Sequence, residues 1–329
     1  MKRTHKLTSL LSTLLLLAAM SVMALAADPG IAAPFNVITS DAPSNLLVYN
    51  LYSSSLTNPV LENTRISITN VSDITAVSVH FYFIDGSNCS VADSYVCLTQ
   101  NQTTTFYASD VDPGVTGYII AIATDENGLP LRNALTGGRL LGDEQVKLAS
   151  GHMASLQAQA IPFIFVAASP AGDAGAGVTL AVPRVLALSN IASPADGNNQ
   201  LLVVNRLGGD LRTAMGSIGS IFGILYDQLE NSYSYSFSGG CQFRRVLGGS
   251  FPRTTPRINN IIPAASVGWT KFWGTANVGI TGAVLNQNSN IASSSTAFGC
   301  GHNLQVLTFT TEALIFPIFP SNCGFVTTF

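Results

Sequence analysis

The sequence predicts an all-β protein: two antiparallel β-sandwich domains of immunoglobulin-like type, in tandem behind a cleaved signal peptide. Three observations carry that expectation. Apolar and polar residues alternate with period two along short segments rich in Val, Ile, Thr, Phe and Tyr, the pattern of strands with one buried face. Turn residues separate those segments at short, regular intervals. Two short matches recur in the same order in the two halves of the 329-residue chain. Hydrophobic residues make up 47% and charged residues only 10% of the chain. Charge that low, without loss of apolar content, excludes a disordered chain.

The leader comes first. Lys2, Arg3 and Lys6 form a basic start, Leu7 to Met23 an apolar stretch, and Ala24-Leu25-Ala26 a small-x-small cleavage pattern. Residues 1–27 therefore read as a secretory signal peptide rather than a membrane anchor. Removing them takes three of the 15 basic residues and none of the 18 acidic ones, leaving a net charge of −6. Such a chain lacks the basic patch that phosphate backbones require, which argues against nucleic-acid binding. No transmembrane span is expected in the mature chain.

The first domain is expected over residues 28–164. Leu46–Leu51 is an apolar run. Ile66 and Ile68 alternate with Ser67 and Thr69, and Val77, Val79, Phe81 and Phe83 with Ser78, His80 and Tyr82. Thr103–Ala108 and Gly117–Thr124 continue the series. His152–Ala160 reads as a short helix ended by Pro162. Residues 165–182, in which Ala167–Gly177 is rich in Ala, Gly and Pro, read as a linker. The second domain, 183–329, is expected to place strands at Ser220–Tyr226, Tyr233–Phe237, Val267–Trp273, Val278–Leu285 and Leu304–Ile318. Leu201-Leu202-Val203-Val204-Asn205 matches Leu46-Leu47-Val48-Tyr49-Asn50, and Gly279-Ile280-Thr281-Gly282 matches Gly114-Val115-Thr116-Gly117. Their shared order suggests a diverged tandem repeat.

Several stretches carry a resemblance. Glu62–Asn70 (ENTRISITN), Asp110–Ala121 (DVDPGVTGYIIA), Gly142–His152 (GDEQVKLASGH), Val278–Asn286 (VGITGAVLN) and Gly301–Leu304 (GHNL) resemble a group of uncharacterised secreted bacterial β-sandwich proteins. The resemblance covers most of the mature chain and implies bacterial origin and export. The group has no assigned activity, so no functional residue carries over.

The five cysteines fit an oxidising compartment. Cys89 and Cys97 flank a turn-rich loop and are expected to pair; Cys241 and Cys300 are a second candidate pair, with Cys300–Cys323 as the alternative. Asp85, Asp110 and Asp112 lie at turns and could contribute oxygen ligands to calcium, against the simpler reading that each accepts hydrogen bonds from its own turn. Val267–Trp273 reads as a strand with Trp269, Lys271 and Trp273 on one face. Because lysine avoids full burial, that face is expected to look outward and bind a glycan or a surface protein. The competing reading packs both indoles while Lys271 snorkels to the edge.

No H-E-x-x-H, G-x-S-x-G, phosphate-binding loop or complete dinucleotide fingerprint occurs. His80 reads as structural, and Cys300 beside His302 as a disulfide cysteine rather than a nucleophile. The expectation is a secreted, periplasmic or extracellular, non-enzymatic structural or adhesive module. The alternatives are a secreted hydrolase with a site built from dispersed loops, and an outer-membrane β-barrel, whose closing strand Pro317 and Pro320 would interrupt.

Overall fold

The computed structural model describes residues 42–131, 138–168, 175–288, 301–321 and 323. The segment 1–27 expected to be a signal peptide, and Cys300, lie outside them. The described chain is all-β, in four open sheets that are antiparallel except for one short parallel pair. With their edges free, the sheets form no closed barrel among the described residues.

Two sheets come from residues 46–160. β1 (Leu46–Ser53), β3 (Val77–Asp85), β4 (Val91–Leu98), β6 (Thr116–Thr124) and β9 (Gln159–Ala160) form one, in the order β4-β3-β6-β1-β9. β2 (Asn63–Asn70), β5 (Thr103–Tyr107), β7 (Leu140–Lys147) and β8 (Met153–Gln157) form the other, in the order β5-β2-β7-β8. Tyr49, Phe81, Phe83 and Ile119 of the first pack with Ile66, Ile68 and Leu140 of the second.

The other two sheets come from residues 163–317. β10 (Phe163–Ala168), β11 (Gly175–Ala192), β13 (Gly209–Asp210), β14 (Ala214–Met215), β15 (Gly219–Tyr226), β16 (Ser232–Gly239), β18 (Val267–Gly274) and β21 (Gln305–Pro317) make an eight-stranded sheet. β12 (Asn198–Leu207), β17 (Gln242–Leu247), β19 (Gly279–Asn288) and β20 (Gly301–Asn303) make a four-stranded one, ordered β17-β12-β19-β20. Leu186, Leu188, Ile221 and Phe272 of the larger sheet pack with Leu202, Val204 and Val284 of the smaller.

The two halves are fused rather than strung together. β1, β3 and β6 are buried on both faces. The residues alternating with their inner set, Leu46, Val48, Ile84, Ile120 and Ile122, pack against Val178, Leu180, Val182, Leu314 and Phe316 of the second half. A further cluster joins Val146 and Leu156 to Leu201, Val203 and Leu285. Where β1 meets β12, the matched asparagines touch: Asn205 Nδ2 donates to Asn50 O at 2.8 Å, and both residues are fully buried.

Three expectations are corrected here. The described parts of 165–182 are strand rather than linker: 165–168 lie in β10 and 175–182 in β11, which runs for 18 residues, bordered by β21 on one side and by β10 and then β18 on the other. Its small residues concealed an alternation in which Ala176, Val178, Leu180 and Val182 are buried. The chain over 152–160 is not helical but forms β8 and β9. Cys89 does not pair with Cys97. β4 begins two residues after Cys89 and carries Cys97 along an extended strand, so the two are separated by roughly 25 Å at about 3.3 Å per residue, far beyond disulfide reach. Cys89 instead pairs with Cys241 and Cys97 with Cys323, with Cα–Cα distances of 5.4 and 5.6 Å. That pairing also removes the Cys241–Cys300 and Cys300–Cys323 candidates. Both bonds tie the first half to the second.

Candidate functional site

The site is a groove at the seam between the halves. Its floor is set by close backbone approach. Gly86, in the turn after β3, donates from N to Thr116 O at 3.0 Å, and its own carbonyl accepts from Gln242 N at 3.3 Å. A Cβ at Gly86 would lie 2.8 Å from Gln242 Cβ, so glycine lets β17 come this close. The Gln242 side chain then spans the seam, donating to Gly117 O at 3.0 Å and to Asn205 Oδ1 at 2.8 Å. The Cys89–Cys241 bond fixes the same turn to the residue just before β17.

Above that floor a cavity of about 660 Å³ is lined by Asp85, Ser87, Thr116, Ser238 and Gln242, among others. An adjoining cavity of about 490 Å³ is lined by Glu62, Leu148, Ser150, His152, Leu201 and Ser250, among others. Arg244 and Arg245 line both. β17 is an edge strand, so neither arginine is covered by a further strand, and both are exposed. Burial of the Arg244 head group within the groove pulls its pKa down; Glu62 opposes this, and Arg245 adds to it by repulsion.

The two carboxylates of the groove have donors of their own. Asp85 Oδ1 accepts from Ser87 N at 2.7 Å and from Ser87 Oγ at 2.6 Å. Glu62 Oε1 accepts from Ser53 Oγ at 2.5 Å. His152 is buried, with Nε2–H donating to Asn199 O and Nδ1 accepting from Ser150 Oγ, each at 2.8 Å. That environment lowers its pKa, chiefly through burial, with its hydrogen bonds to Asn199 opposing.

The residues singled out from sequence are placed as follows. Asp112 Oδ2 accepts from Tyr52 OH at 2.6 Å, Asp110 Oδ2 from Tyr107 N at 3.0 Å, and Asp85 from its own turn. Asp85 and Asp110 thus bond within their own turns, and Asp112 bonds across to β1. Among the described residues no group of three or more His, Cys, Asp or Glu is placed to hold a metal ion. Trp269, Lys271 and Trp273 do not form an outward face. β18 lies between β11 and β15 inside the eight-stranded sheet; Trp273 is 1% exposed against Phe222, and Lys271 is 9% exposed. Only Trp269 stays partly accessible, stacked on Tyr226 with ring centroids 4.0 Å apart. His80 is buried, bonded to Asp93 Oδ2 at 2.9 Å and stacked on Tyr82; burial lowers its pKa and Asp93 partly restores it. His302 sits on β20 opposite Val284.

The arginine pair was not singled out from sequence. Two adjacent guanidinium residues in a chain with only two lysines, Lys147 and Lys271, beyond residue 6 were the available signal.

Comparison with known proteins adds little. No family model matches the chain, and no curated protein matches it. A solved structure of oxalate decarboxylase is similar at 8% identity over 77% of this chain and 80% of its own, with a TM-score of 0.13. A score that low carries no argument about fold or chemistry. Among the described residues no helix is long and apolar enough to cross a membrane.

Proposed function

We propose that the chain is an exported, non-catalytic structural or adhesive module of a bacterial cell exterior, built from two immunoglobulin-like sandwiches in tandem that act as one rigid body. The observation that carries this reading is the pair of disulfides, each joining the first half to the second. Such bonds persist outside the reducing cytoplasm, and together with the apolar seam they favour rigidity over the hinged motion of lids and catalytic domains. The groups that could do acid–base work support the same reading, because His80 and His152 are buried and already hydrogen-bonded.

The test has two parts. Exported material should begin at Ala27 or Asp28 on N-terminal sequencing; an intact Met1 would refute export by cleavage. The purified mature chain, screened on glycans and esters, should show no turnover. Turnover abolished by a single His or carboxylate substitution would refute the non-catalytic reading.

One observation favours the hydrolase alternative. Ser150 Oγ lies 2.8 Å from His152 Nδ1 at the rim of the groove, the contact a serine nucleophile needs. Esterase activity lost in Ser150→Ala would support it. The buried imidazole weighs against it, since a general base must reach the proton it moves.

A further inference from the structure

The groove holds two kinds of charge in different states. Its carboxylates are satisfied locally: Asp85 by Ser87, Glu62 by Ser53. Arg244 and Arg245 are not. Among the described residues neither guanidinium has a hydrogen-bonding or ion-pair partner, whereas Arg206 and Arg212 are each paired with a carboxylate. Both line each of the two adjoining cavities, so the pair presents its charge to the groove as a whole. Arg244 is partly desolvated by the groove and repelled by Arg245, and a bound anion would offset that repulsion. Guanidinium suits carboxylate in particular, because two parallel N–H donors match its two oxygens.

The rest of the lining narrows the ligand. One section offers the oxygens of Ser87, Thr116, Ser238 and Gln242, which can accept hydrogen bonds from ligand hydroxyls. The other offers Leu148, Leu201 and Val246, an apolar strip suited to the C–H face of a sugar ring. The floor is fixed by the Cys89–Cys241 bond and the Gln242 bridge, so the site is preorganised and binding costs little ordering. The mature chain is acidic overall, so attraction of a polyanion must come from this local pair rather than from net charge.

We propose that the seam groove binds a carboxylated polysaccharide, with Arg244 and Arg245 engaging its carboxylates and the flanking hydroxyl and amide groups its hydroxyls. The inference names a ligand for the adhesive module and rests on that reading.

The experiment is calorimetric titration of the purified mature chain with a galacturonate hexamer. Its methyl-esterified form and a glutamate hexapeptide serve as comparison ligands. The free acid should bind, and esterification or the Arg244→Gln/Arg245→Gln variant should weaken binding at least tenfold. Both arginines are exposed, so the variant's thermal melt should match that of the parent. Arg253→Gln/Arg257→Gln, which removes two exposed charges outside the groove lining, should bind as the parent does. Equal affinity for the ester, unchanged binding by the groove variant, or tighter binding of the peptide would overturn the proposal. Cleavage of the hexamer that disappears with the two arginines would support the groove while refuting the non-catalytic reading. Absence of binding in a chain that still adheres to other surfaces would refute the groove and leave the module reading standing.

Discussion

Leu180→Ala tests whether the halves are fused or merely tethered. If 165–182 were a linker, truncating its leucine would cost almost nothing. In the structure Leu180 is fully buried, faces Phe163 and Glu312 on the neighbouring strands, and shares a cluster with Ile120, Leu314 and Phe316. Leucine-to-alanine changes in cores cost about 2–5 kcal/mol, more where the surroundings cannot collapse. β11 is held by a strand on each side here, so collapse is restricted and a loss of about 3–4 kcal/mol is expected. With an unfolding entropy of roughly 2.1 cal/mol/K per residue, the 329-residue chain should lose roughly 4–6 °C in Tm. Urea unfolding followed by circular dichroism gives the free energy directly. Gly177→Ala is the control in the same strand, because nothing lies within 4 Å of an added Cβ; it should be neutral or slightly stabilising. A Leu180→Ala loss below about 1 kcal/mol, or one matched by Gly177→Ala, would refute the reasoning.

Three further outcomes are expected. Glu144 is fully buried, Oε1 accepts from Leu51 N at 3.2 Å, and burial holds its carboxyl well above the ordinary 4.5. The folded state therefore keeps a proton that the unfolded state releases. Its stabilising contribution is complete below pH 4.5 and falls by about 1.4 kcal/mol per pH unit until the folded-state pKa is passed. Glu144→Gln should flatten that slope in denaturation curves at pH 5 and pH 8, and an unchanged slope would show the group ionises freely. Trp273→Ala should cost about 3–5 kcal/mol and Trp269→Ala about 1 kcal/mol, the worth of one ring stack; equal costs would place both indoles in the same environment. Replacing Cys89 and Cys241 by Ser opens a loop of 152 residues, worth about 5 kcal/mol on the chain-entropy account. Non-reducing peptide maps should recover Cys89 with Cys241 and Cys97 with Cys323; a Cys89–Cys97 peptide would contradict the fold.

Much of the strand content was legible because alternation is a local signal. Ile66 and Ile68, or Phe81 and Phe83, face one core and could be read from a few neighbours. What alternation could not reveal is that β3 is buried on its other face too, since that depends on a sheet formed some 100 residues later. β11 was hidden by Ala and Gly, whose weak strand preference outweighed the regular spacing of Val178, Leu180 and Val182. Cysteine pairing failed for a related reason. Short loop length favours Cys89–Cys97, but the intervening residues become β4, and an extended strand keeps its ends apart. Trp273 was expected outside because Lys271 shares its face; the central position of β18 buries both. The groove needed the fold itself, because Glu62, Asp85 and Arg244 meet only when the halves close.

The order of the paired cysteines has a consequence for survival among proteases. Along the chain they run Cys89, Cys97, Cys241, Cys323, and the bonds join first to third and second to fourth. The two loops interleave, so a single backbone cut anywhere between Cys89 and Cys323 releases no fragment. A cut between Cys97 and Cys241 leaves the pieces joined twice, so they stay linked even if one bond is then reduced. A nicked molecule would keep its seam, including the Cys89–Cys241 bond that positions Arg244 and Arg245, and so would keep whatever the groove holds.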